Sequence, residues 1–271
     1  MKRYRHYKKD KAIILSCFGS VIEQQIYLDL VEEVKDQFKE IDVFFSFSSR
    51  MVLKDLHKRG FKYKNLPQIL ADVDWLGYRN IVVASINLFP TDEHELLIKT
   101  VKGFKKFSYS NIRYTKAIIN KTKESSIFLK ELNQRVSKKD TANLYIIHGV
   151  PLLDLAGVSS VTYAKEFLEY LSPYNYTCSL EGAFPFFAIK EALISKLKQN
   201  NIKKVQIIPM LLVSGNHYIK DMIEIRDELQ KEFECFIVES LSKSERFNLL
   251  ELKRVREIIF ANIKEEIIKL G

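Results

Sequence analysis

Short apolar runs recur along this chain, at residues 12–17, 42–47, 80–88, 144–148, 176–181, 205–213 and 235–239. Longer stretches lie between them, in which apolar residues return every three or four positions. Runs this brief and rich in Ile, Val, Leu and Phe fit buried strands. The intervening stretches, among them 22–39, 163–171, 186–198 and 219–232, fit helices with one apolar face. Regular alternation leaves little choice of architecture: each strand returns to the sheet through a helical crossover, so the sheets are parallel and helices cover their faces. Pro67 and Pro185 stand where a first helical turn tolerates proline. The polar stretch Ser137-Lys138-Lys139-Asp140-Thr141 reads as the link between an amino-terminal domain, 1–140, and a carboxyl-terminal domain, 141–271, which residues 245–270 close in helical spacing.

Three of the strand-like runs finish on residues able to bind a metal. The run LYIIHG ends on His148, YTCSLEG on Glu181, and VQIIPMLLVSGNH on His217. Open parallel sheets build their sites at the carboxyl ends of strands. If these strands are neighbours, two imidazoles and a carboxylate converge on one point. Nitrogen and oxygen donors of this kind suit a borderline divalent metal, and three protein ligands leave coordination positions open for exchange.

The two halves also resemble each other. Residues 80–93 and 204–217 share a preceding helix, an apolar run and a polar break, which puts Glu93 level with His217. The same comparison sets Phe18-Gly19 against His148-Gly149, and Ser48 against Glu181. The expectation is a duplication: two similar Rossmann-like α/β domains with parallel sheets facing a central cleft, with Glu93 looking across at His217.

Composition narrows the partners. The 271 residues, 46% hydrophobic, suffice for two cores, and 43 basic against 34 acidic residues give a charge of +9 that favours an anionic partner. No zinc-finger spacing or RNA-binding aromatic signature accompanies the charge, so nucleic acid is not expected. Cys17, Cys178 and Cys235 are odd in number and set in strand-like runs, as buried thiols of a reducing compartment would be. No stretch of about 18 apolar residues is present. The basic start followed by Ala12–Cys17 reads as a first strand rather than a signal peptide, so a cytoplasmic protein without membrane association is expected. No Gly-rich loop followed by Lys and Ser or Thr is present to cradle a triphosphate.

These residues resemble a known family, the anaerobic sirohydrochlorin cobaltochelatases of the class II chelatase superfamily. The resemblance runs through Ser16-Cys17-Phe18-Gly19-Ser20, Phe47-Ser48-Ser49-Arg50-Met51, Asp92-Glu93, His148-Gly149, Glu181-Gly182 with Pro185, and the block PMLLVSGNHYIKDM at residues 209–222. It implies a bilobal fold and ATP-independent insertion of Co2+ into sirohydrochlorin in cobalamin biosynthesis. It also implies metal held by His148, Glu181 and His217, with His148 doubling as proton acceptor and Glu93 facing the same cleft. Insertion requires two pyrrolic protons to leave as the cation arrives, and a neutral imidazole serves either as ligand or as base near neutrality. Phe18, Asn87, Phe89, Leu152 and Phe184 are the candidate contacts for the macrocycle, and a homo-oligomer is allowed for. The chain departs from the family at Asn87, where a histidine is usual, at Asn216 in place of aspartate, and at Val150-Pro151-Leu152. These departures motivate the alternatives: a carrier of haem, another tetrapyrrole or metal without turnover, or a chelatase for nickel or iron.

Overall fold

In the computed structural model, which describes residues 5–215, 218–240 and 244–270, the first apolar run is an inner strand. That strand, β1 (Lys9–Cys17), is exposed at its first two residues and buried from Ala12 onward. Ile13, Ile14 and Leu15 are wholly buried, as expected of a parallel strand covered on both faces. It is followed by α1 (Gln24–Gln37), β2 (Asp42–Phe47), α2 (Arg50–Lys58), α3 (Leu66–Trp75), β3 (Tyr78–Ile86), α4 (Asp92–Phe104) and β4 (Asn111–Tyr114). The sheet runs β2-β1-β3-β4, all parallel. Helix α3 starts where its sequence says it should. Asn65 and Gln68 form a reciprocal capping box, and Pro67 lies in the first turn, where its missing N–H costs nothing.

The second half repeats this plan with α5 (Thr122–Val136), β5 (Ala142–Ile147), α6 (Val158–Leu171), β6 (Asn175–Ser179), α7 (Phe186–Gln199), β7 (Lys204–Met210), α8 (Ile223–Leu229) and β8 (Glu234–Ile237). Its sheet runs β6-β5-β7-β8, again parallel throughout. The order matches the first sheet strand for strand, and Cys17, Cys178 and Cys235 are all buried within the sheets. The direction in which strands are added reverses between β5 and β7, so the loops leaving those two strands diverge at a topological switch point. That is where a sheet of this kind opens a ligand site.

Hydrogen bonds at the strand ends fix the equivalences. The Ser48 and Ser49 N–H groups donate to the carbonyls of Cys17 and Phe18, as those of Leu180 and Glu181 donate to Ile147 and His148. His148 is therefore the counterpart of Phe18, as expected, but Glu181 is the counterpart of Ser49 rather than Ser48. The strand registers pair Cys17 with Ile86 and Ile147 with Met210. His217 stands as far beyond Met210 as Glu93 stands beyond Ile86, although His217 itself lies outside the described residues.

The division into units differs from the expected boundary at 140. One unit comprises residues 1–118 together with 253–271, and the other residues 119–252. Two packing facts account for the difference. Helix α5 precedes the polar stretch 137–141 but packs against α6, so it belongs to the second unit. The last helix, α9 (Lys253–Ile268), buries Val255, Ile258, Ile259 and Ile263 and packs against β3 and α1 of the first unit. Ion pairs from Arg256 to Glu33 and from Arg113 to Glu266 (2.6 Å) tie it there. No described helix is long and apolar enough to cross a membrane.

Candidate active site

Two glycines bring the β5 and β6 loops into backbone contact. Gly149 has φ of 88°, and a Cβ there would lie 1.8 Å from the Glu181 carbonyl oxygen. Gly182 has φ of 80°, and a Cβ there would lie 1.9 Å from the carbonyl oxygen of Val150. Only glycine accepts both the left-handed backbone and so close an approach. The consequence is a side-chain pair: His148 Nδ1 lies 3.4 Å from Glu181 Oε1, with 41% and 50% of the two side chains exposed. In the first unit the corresponding places hold Phe18 and Ser49. The Ser49 hydroxyl accepts the Val52 N–H as the cap of α2, so that strand end is committed to structure. The first unit therefore has no counterpart of the His148 and Glu181 pair at these two strand ends.

The loop leaving β7 is anchored just before His217. Ser214, fully buried, donates its N–H to the Asn248 side-chain oxygen (2.6 Å) and its hydroxyl to the Phe247 carbonyl (2.5 Å). Leu249 and Leu250 donate to the carbonyls of Leu211 and Leu212. Beyond the loop, a π-helical turn, Tyr218–Met222, leads into α8 and carries Asp221. Such widened turns recur at functional sites. Among the described residues no group of three or more His, Cys, Asp and Glu gathers as a metal site, so the structure brings together His148 and Glu181 of the expected ligands.

These two residues open onto a cavity of about 480 Å3 that Phe186, Phe187, Lys190, Asp221, Glu224 and Glu228 also line. Lys190 donates to Glu228 at 3.0 Å. Hydrogen bonds from Lys231 and Lys190 hold the Glu228 carboxyl below the usual carboxylate range. Burial pushes the Cys178 thiol up to about 12, so it offers no thiolate near neutrality. The donors on this cavity are nitrogen and oxygen, a set suited to borderline divalent ions.

The remaining expected contacts fall into two groups. Leu152 and Phe184 in the second unit are 59% and 61% exposed, and Phe187, which sequence reasoning did not single out, is 80% exposed. Phe18 in the first unit is 39% exposed, whereas Phe89 is 6% exposed. A ring so buried has no face to offer a macrocycle, and Phe89 is corrected to a core residue. Asn87 donates to the Ser85 hydroxyl at 2.9 Å, which also pairs with His94 Nδ1 at 2.7 Å. Burial lowers the pKa of His94. Glu93, in the first turn of α4, has a buried Oε2 with no hydrogen-bond partner.

A family model described as cobalt chelatase, CbiK, matches residues 11–268. The chain belongs to the CbiK cobalt chelatase family. Membership gives the reaction class, metal insertion by a chelatase. A sirohydrochlorin cobaltochelatase from Salmonella typhimurium is 20% identical over 217 residues, which cover 78% of this chain and 80% of the relative. Among solved structures, SirB from Bacillus subtilis with Fe3+ superposes with a TM-score of 0.65 at 17% identity, covering 95% of both chains. The sirohydrochlorin chelatase SirB from Bacillus subtilis subspecies spizizenii, in complex with cobalt, gives 0.62 at 15% identity and the same coverage. At these identities the two structures share the chelatase fold with this chain.

Proposed function

We propose that the protein inserts Co2+ into sirohydrochlorin without ATP, as a step of anaerobic cobalamin biosynthesis. The observation that carries this reading is the 3.4 Å pair of His148 and Glu181 at adjacent strand ends, opening onto the second unit's cavity. The family match and the Salmonella relative's name support the reaction and the metal.

In this reading the cation is a substrate. His148, Glu181 and His217 hold it and leave positions from which water is displaced by the ring nitrogens. A chelatase must bind its metal firmly enough to desolvate it in part and loosely enough to release it. Three nitrogen and oxygen ligands meet that requirement better than a closed four-ligand site. As the cation passes to the macrocycle, the freed His148 imidazole accepts one pyrrolic proton. Glu93, the acid that the family resemblance assigns, is the candidate acceptor for the second. The exposed Leu152, Phe184 and Phe187 side chains offer apolar contact to a flat ring. Lys190, which lines the same cavity, is engaged by Glu228, and a substrate carboxylate would have to compete for it.

Iron is the specific rival metal, because solved structures of this fold include one with Fe3+ beside one with cobalt, and the donor set accepts both. Purified protein, sirohydrochlorin and Co2+, Fe2+ or Ni2+ in turn, followed by macrocycle absorbance, separate the readings. The expected result is multiple turnovers, fastest with Co2+, reduced at least about 100-fold by His148→Ala or His217→Ala. Faster insertion of Fe2+ would reassign the metal, and binding that stops at one equivalent would make the protein a carrier. Wild-type rates in both histidine variants would remove the assigned site.

A further inference from the structure

The loop that carries Glu181 rests on a buried lysine. Lys165 lies on α6 and is 8% exposed, yet its Nζ stands 4.2 Å from the centroid of the Phe184 ring. Phe184 has φ of 60°, a conformation that a residue with a side chain holds only when its surroundings impose it. Part of that imposition comes from the main chain. The Ser179 N–H donates to the Phe184 carbonyl (3.1 Å), and the Ser179 hydroxyl donates to that of Ala183 (2.8 Å). Those bonds close the loop at its base, and the ammonium fixes the ring at its tip. Burial draws the pKa of Lys165 down, partly countered by the Glu169 carboxylate nearby. A cation in such a place is costly to bury, and a methionine of similar length would be cheaper there. Fold stability therefore gives little reason for a lysine at this position.

We propose that Lys165 is a positioning residue for metal binding: its contact with the Phe184 ring locks the turn of residues 181–184, so that the Glu181 carboxylate stands against His148 before the metal arrives. The Lys165 end of the contact is withdrawn from water while the Phe184 ring keeps an exposed face, and a cation over a ring is worth more as the cation loses its hydration. The benefit falls on the adjoining ligand, because a carboxylate already held in place loses less freedom when it binds. The inference rests on the reading of His148 and Glu181 as metal ligands.

The test uses the full-length protein, Co2+ alone as probe, titration calorimetry and thermal unfolding, with Lys165→Met, Phe184→Leu, the double variant and His148→Ala. Lys165→Met is expected to weaken Co2+ binding about 10-fold while its melting temperature holds or rises. Phe184→Leu should weaken binding to a similar degree. The double variant should bind no worse than either single one, since both substitutions remove one shared contact. Wild-type affinity in Lys165→Met, additive losses in the double variant, or weakened binding accompanied by a lower melting temperature would each overturn the proposal. If His148→Ala binds Co2+ as the wild type does, the metal-site reading itself fails, a result distinguishable from failure of the lysine's role alone.

Discussion

Gly149 and Gly182 shape the candidate site although neither offers a side-chain donor. Each occupies a left-handed conformation in which a Cβ would meet a carbonyl oxygen at under 2 Å, so the loops bearing His148 and Glu181 cross only because both positions lack a side chain. Gly149→Ala is expected to destabilise the protein by about 1–3 kcal/mol and to weaken Co2+ binding, read from chemical denaturation and titration calorimetry. Gly103, exposed within α4 with open space around it, supplies the opposite case. Gly103→Ala should stabilise by about 0.5–1 kcal/mol and leave metal binding alone. The strand-end positions of His148 and Glu181 were legible in the sequence because each follows an apolar run that reads as a strand. Their glycine neighbours were not assigned this role, since it depends on knowing which loops cross. Phe187 also escaped notice, being one apolar residue of a helix in which the inward and outward faces look alike until the sheet is placed.

Helix α4 shows both the reach and the limit of pattern reading. Glu93 stood out by its place after the third strand, whereas His94 repeats with Leu97 and Val101 as one buried stripe, the spacing of any core face. The structure makes His94 a neutral imidazole held against Ser85, with its pKa below the ordinary 6.5 because burial penalises the charged form. The unfolded chain then binds a proton that the folded chain refuses. The stability this residue allows is complete above about pH 6.5 and declines as pH falls toward the lower folded value; below that, both states are protonated and the loss levels off. Calorimetry between pH 7 and pH 5 should show a steeper fall in melting temperature for the wild type than for His94→Gln. Parallel curves would count against that assignment. Strand β4 escaped the sequence reading for a different reason. Its four residues, NIRY, set a single aliphatic side chain between Asn111 and Arg113, so no apolar run marks it, whereas the equally short β8 is visible through the run Cys235-Phe236-Ile237-Val238.

At the scale of the whole molecule, the duplication was legible because strand order follows from a repeated βαβ pattern, and the two sheets carry the same order. The division between units was not, because composition marks a flexible connection but not which core a helix joins. The apolar residues of α9 read equally well as the end of the second half. Packing against β3 and α1 makes them part of the first. Burying Val255, Ile258, Ile259 and Ile263 contributes about 1.5–3 kcal/mol each, together comparable with the whole stability of an ordinary domain. A chain ending at Leu252 is therefore expected to lose the cooperative unfolding of strands β1 to β4. Limited proteolysis should digest that region while a fragment spanning 119–252 survives. Equal resistance of both parts would show that α9 is dispensable.

Because α9 completes a sheet whose strands were all encoded before residue 119, the order of manufacture is the reverse of the order of completion. A ribosome adding about 5–20 residues each second exposes β3 and its neighbours for roughly ten seconds or more before the helix that covers them is made. The later-encoded unit needs nothing downstream of itself and can finish first. During that interval the apolar surface that Val255, Ile258, Ile259 and Ile263 will cover stays open to water.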